Sequence, residues 1–147
     1  MAESPHQALL PEGWKRPRGY ANGVLAQGRQ VFVAGMIGWD AQEQFQSDDF
    51  AAQTRQALQN VLAVLAQAGA GPQHIVRMTW YVTDKREYLA AGREVGQAFK
   101  ELIGNYCIAM SAVQVVALME DRAKVEIECT AVLPPPGIRV LQAPGLD

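Results

Sequence analysis

Hydrophobic and polar residues alternate along residues 124–132, with Val125, Ile127 and Cys129 on one side and Glu126, Glu128 and Thr130 on the other. A period of two predicts a strand with unlike faces. Residues 111–118 form a second alternating, β-branched run, and a short acidic link, residues 119–123, separates the two. The pair predicts a β-hairpin with a loop longer than the tightest turns. Glu126 on such a strand is solvated, salt-bridged or part of a site.

Upstream, residues 19–25 and 30–37 predict a first strand pair turning at Gly28. The second of these, QVFVAGMI, loses its side chain at Gly35, which marks a bulge or a point where something approaches the backbone closely. A polar connection with Trp39 and Asp40 leads to Asp48 and Asp49, either of which can cap a helix. Ala51, Thr54, Leu58, Val61, Leu65 and Ala68 then recur at three- and four-residue steps, one apolar stripe that Gly69, Gly71 and Pro72 bring to an end. In the next strand Val76, Met78, Trp80 and Val82 share one face and Arg77, Thr79 and Tyr81 the other. Neither face is plainly solvated, which suits a subunit interface or packing within one chain. Asp84 caps a second helix with the stripe Tyr88, Ala91, Val95, Ala98, Phe99 and Leu102, ended by Gly104. The order β-β-α-β-α-β-β predicts an α+β fold, one mixed sheet with two helices on one face. Residues 1–18 read as an irregular surface arm, and the Pro-rich tail, residues 133–147, as an extended segment over the surface or a neighbour.

Composition narrows the function classes. At 147 residues, 49% hydrophobic and 19% charged, the chain reads as one globular domain over residues 1–147, its core about 19–133. A net charge of −2 without a basic block argues against a nucleic-acid partner. No apolar run approaches the ~20 residues of a membrane span, and the N-terminus does not resemble a secretory signal. Cys107 and Cys129 lack CxxC spacing, as expected of structural thiols in a reducing cytoplasm. His6 and His74 are the only histidines, too few for a zinc cluster. The expected address is cytoplasmic, with no metal or organic cofactor.

Several blocks in order carry a resemblance to a known family. AQTRQALQNVLAVLAQAG at residues 52–69, VTD at 82–84, VEIECTAV at 125–132 and VFVAG at 31–35 resemble the RidA enamine/imine deaminases, the YjgF/YER057c/UK114 family. The resemblance covers residues 19–133. It implies a chorismate-mutase-like fold, a homotrimer, and small-molecule sites in clefts between subunits. It also implies hydrolysis of reactive enamines and imines such as 2-aminoacrylate to the ketoacid and ammonia. By the same resemblance the cleft tyrosine falls on Tyr20, the strand glycine on Gly35 and the catalytic glutamate on Glu126.

The family's arginine, which clamps the substrate carboxylate, is replaced here. Its P-x-R-S motif reads Ile108-Ala109-Met110-Ser111, so Met110 occupies the clamp position, and the usual cysteine two residues on is Ala112. A thioether cannot neutralise a carboxylate, and losing a charge-assisted contact costs on the order of 1.5–3 kcal/mol. The family's helix asparagine aligns with Arg93, and Gly96 one turn later leaves its guanidinium room to reach a cleft. Otherwise Arg93 is a solvated helix residue, paired with Glu94 or Glu128. Trp39 is a cleft wall or an ordinary core or interface tryptophan. The expectation is therefore a divergent deaminase or hydrolase acting on a small imine, enamine or related metabolite, its ligand a carboxylate or imine. The rival is a non-catalytic trimer that kept the cleft and lost the clamp.

Overall fold

A computed structural model describes residues 4–136. The expected course of the tail from residue 137 onward lies outside the described residues. The chain forms β1 (Gln7–Leu9), β2 (Gly23–Leu25), β3 (Arg29–Ile37), α1 (Phe50–Gln67), β4 (Ile75–Val82), α2 (Lys85–Ala90), α3 (Gly92–Leu102), β5 (Ala109–Gln114) and β6 (Val125–Leu133). The main sheet has the order β3-β6-β4-β5. β6 runs antiparallel to both β3 and β4, and β5 runs parallel to β4. This is the mixed α+β sheet that the sequence predicts.

Two expected pairings are corrected. Residues 111–118 and 124–132 do not form a hairpin, because β6 inserts between β3 and β4 while β5 lies on the far side of β4. Alternation defines strands and faces, but it carries no information about neighbours. β6 is the strand with the longest run of buried positions, Val125, Ile127, Cys129 and Ala131 to Leu133, and burial on that scale favours the centre of a sheet. Nor do residues 19–25 pair with 30–37: β2 pairs with β1, from the arm expected to be irregular. Gly28 makes this break, with φ +145 and its Cα against the Leu133 carbonyl, where any side chain would collide with backbone.

The helices form as their caps and stripes predict. Asp49 Oδ2 accepts a hydrogen bond from Ala52 N at 2.9 Å, which satisfies a free N–H group of the first turn of α1. Thr54, Leu58, Val61 and Leu65 are fully buried on one face, and Gly69, at φ +71, supplies the left-handed residue after the last turn. The second helical segment is split at Ala91 into α2 and α3, with Asp84 Oδ1 capping α2 through Arg86 N at 2.8 Å. α1 packs on β3, β6 and α3, and Trp80 of β4 packs against Tyr88 and Phe99 of α2 and α3. The helices thus cover one face of the sheet and leave the other open. No described helix is long and apolar enough to cross a membrane.

Candidate functional site

The open face carries the polar side of β6. Glu126 lies opposite Tyr81 and Glu128 opposite Thr79, and all four are half-buried. Tyr81 Oη donates to Glu128 Oε1 at 2.7 Å. That bond, followed by desolvation and the charges of Glu128 and Glu126, raises the Tyr81 pKa and keeps the phenol protonated. Beside them the β3–β6 register slips between Val33 and Met36. Gly35 sits in this bulge, and the Glu126 carboxyl lies over it: a Cβ at position 35 would be 2.6 Å from Glu126 Cδ and 2.7 Å from Oε2. Gly35 is therefore both a bulge residue and a point of close approach, and the intruding group is the chain's own glutamate. Glu126 takes part in none of the four ion pairs among the described residues.

Tyr20, Met110 and Ala112 gather elsewhere. Gly19, at φ +80, turns the chain into Tyr20, and Ala21 anchors it to β5 through a bridge to Ala109 and a bond from Ala21 N to Ile108 O at 2.8 Å. Met110 is in register with the buried Met78, so its side chain faces the helices and packs against the core. With Trp80, Val95 and the glycines of α3, these residues line a cleft of about 570 Å³ between β5, α2 and α3. The twelve described residues that line it include no charged side chain. Gly35 and Glu126 are not among them. β5 and β6 are two strand spacings apart, about 10 Å, and Met110 is level with Cys129 and not with Glu126, whose side chain is on the opposite face of the sheet.

The remaining candidates lie apart from both groups. Arg93 is exposed on α3, outside the cleft lining, and makes no ion pair among the described residues. Trp39 is half-buried in the loop before α1, tilted against Phe45 at 5.9 Å, and Asn60 Nδ2 holds its carbonyl at 2.7 Å. Burial pushes the Cys129 thiol up to about 12, which leaves it inert as a nucleophile. Among the described residues no group of three His, Cys, Asp or Glu side chains is placed to hold a metal ion. Sequence reasoning missed Trp80, Tyr88 and Phe99 as cleft residues. All three belong to apolar stripes, and only the parallel docking of β5 beside β4 leaves them at an opening.

The geometry has close counterparts among solved proteins. A protein of the conserved Rid family from Yersinia pestis superposes with a TM-score of 0.77 at 32% identity, over 88% of this chain and 99% of that one. Escherichia coli TdcF, solved with bound serine, gives 0.63 at 31% identity over 88% and 93%. The 2-iminobutanoate/2-iminopropanoate deaminase of Salmonella typhimurium is 34% identical over 113 residues, 77% of this chain and 86% of that one. Residues 15–133 match the family model described as Endoribonuclease L-PSP. With the profile, the sequence relatives and the mixed sheet in agreement, this chain belongs to the RidA (YjgF/YER057c/UK114) family.

Proposed function

We propose that the protein is a deaminase-type hydrolase of small imines or enamines, working at a cleft completed between the subunits of a homotrimer in the cytoplasm. One observation carries this reading. An unpaired, half-buried Glu126 carboxylate is held over the Gly35 backbone, while the cleft with Tyr20, Met110 and Ala112 lies across the sheet. β3 and β5 are the two opposite edges of the sheet, so the β3–β6 side of one copy has to meet the β5 side of another to join the groups. The open face supports such contact, since Phe32 and Val113 stand 71% and 44% exposed on it beside Thr79 and Tyr81. The Salmonella relative's name, that of an imine deaminase, supports an imine substrate. Among the described residues no cationic side chain lines the cleft to receive a polyanion such as RNA.

In this scheme Glu126 takes a proton from a water as its oxygen bonds to the imine carbon. The proton then passes to nitrogen to give the carbinolamine; Glu126 next carries the hydroxyl proton to the amine, the C–N bond breaks, and a carbonyl and ammonia are left. Tyr20 and main-chain groups near Gly35 orient the substrate. A positioned general base contributes about 10²–10⁴-fold. The test is ammonia release from imines generated in solution, with Glu126→Gln as the control. A loss of at least a hundredfold in the variant is expected, and unchanged turnover refutes the role of Glu126. The Met110 substitution favours a second reading, a binding protein without turnover. Calorimetric binding with no ammonia release, insensitive to Glu126→Gln, would establish it. Light scattering should return a trimer, and a monomer removes the shared site.

A further inference from the structure

The ligand class of the cleft is written in what the cleft lacks. Gly92 and Gly96 both line it, four residues apart on α3, and a Cβ built on either meets nothing within 4 Å. No neighbour forces a glycine at either position. A glycine inside a helix costs about 1 kcal/mol relative to alanine, and at Gly96 no packing gain offsets that cost. The result is open space directly over the helix backbone. Aromatic side chains frame this space: Tyr20, Trp80, Tyr88 and Phe99. At about 570 Å³ the cleft falls within the usual range of small-molecule sites, and it is several times the ~150 Å³ of a cavity that takes one benzene ring.

A second observation points to a ligand. Trp80 is 97% buried, being 3% exposed, and its Nε1–H has no hydrogen-bond partner. Buried indole N–H groups usually find one. The rings that flank Trp80 are Tyr88 and Phe99, with centroids at 6.4 and 6.2 Å, and both line the same cleft. Trp80 itself lines the cleft as well, so its unmatched donor belongs to the wall that a ligand meets.

We infer that this cleft takes an uncharged, flat apolar group, such as a phenyl or indolyl ring, that carries a hydrogen-bond acceptor for Trp80 Nε1–H. The inference rests on the reading of this cleft as the ligand site and deepens it: the substrate is an imine with a large apolar side chain, not one as small as 2-aminoacrylate. Among the described residues that one subunit contributes to the cleft, no cationic side chain is present to pair with a carboxylate.

The test is calorimetry on the intact protein with three probes: 3-phenylpropanamide, 3-phenylpropanoate and propanamide. The aromatic amide should bind at least tenfold more tightly than either the carboxylate or the ringless amide. Gly96→Leu places its Cβ in open space and raises helix propensity, so it should fold and weaken the aromatic amide at least tenfold. In a ¹H–¹⁵N spectrum the Trp80 indole resonance, one of three indoles, should shift with 3-phenylpropanamide. Equal or tighter binding of the carboxylate, or unchanged affinity in Gly96→Leu, would overturn the ligand class. An unmoved Trp80 resonance with the amide bound would overturn the hydrogen bond. None of these readouts uses turnover, so a protein that binds the aromatic amide yet releases no ammonia from imines generated in solution refutes the catalytic reading alone.

Discussion

Gln53 offers the sharpest test of how the Glu126 strand is held. It is 1% exposed on α1. Its Nε2 donates to Ser47 O at 3.1 Å and to Arg122 O at 3.0 Å, and its Oε1 accepts from Lys124 N at 2.8 Å. One side chain thus bolts the start of α1 to the link that feeds β6. Gln53→Leu keeps nearly the same volume and removes all three bonds. At about 1 kcal/mol per bond, with part of the desolvation penalty for partners left unpaired, the expected loss is about 3–5 kcal/mol. For a chain of this size that corresponds to roughly 10–15 °C in Tm. Gly38→Ala attacks the same joint, because its Cβ would lie 2.6 Å from Gln53 Cβ and 2.7 Å from Gln53 Cα. Backbone cannot rotate away as a side-chain tip can, so this variant should also unfold early. The assay is urea and thermal denaturation followed by circular dichroism, at one fixed protein concentration because assembly shifts apparent stability. A loss under about 1 kcal/mol for Gln53→Leu would show that the link is held by something else.

The remaining expectations follow from the sites. Gly35→Ala should lower imine turnover by about tenfold or more while moving Tm little, since a flexible Glu126 can yield but a displacement near 1 Å is costly to catalysis; equal turnover would separate Glu126 from the chemistry. Met110→Arg should improve hydrolysis of 2-aminoacrylate, measured as kcat/KM, and no gain would show that the clamp cannot be restored from this position. The arm should loosen in acid. Burial lowers the pKa of His6, whose Nε2 donates to His74 O at 3.1 Å, and burial followed by the charge of His6 lowers that of His74. Folding therefore favours their neutral forms: the contribution is complete above about pH 6.5 and declines as the pH falls below it. Limited proteolysis of residues 4–10 should be several-fold faster at pH 5.5 than at 7.5, and a rate independent of pH refutes the latch.

Local chemistry made the elements legible. Asp49, Asp84 and Gly69 announce helix ends because a cap depends on residues a few positions away. Alternation in β6 announces its two faces for the same reason. Strand neighbours are another matter. Nothing near residues 109–114 says that they align in parallel with residues 77–82, and the hairpin reading failed there. The candidate site inherited the difficulty: Gly35 and Glu126 are joined by the β3–β6 register, Tyr20 and Met110 by the bridge of Ala21 to β5. That the two groups fall on opposite faces follows only from the strand order.

The two kinds of glycine in this molecule mark different demands. At Gly35 a methyl group would strike the Glu126 carboxyl, so the missing side chain is required by a contact already present in the single chain. At Gly96 a methyl group would strike nothing among the described residues, so no described contact within the single chain requires the missing side chain. A core ordinarily closes such space, because interiors pack to near-crystalline density and unfilled volume forfeits dispersion contacts. Space that stays open beside Trp80, with its unmatched N–H, is the signature of a surface completed by something else. Glu126 and Gly96 thus describe two halves of one problem. On the function proposed above, the first half holds a carboxylate where a water is activated, and the second keeps room for the uncharged body of the molecule that the water attacks.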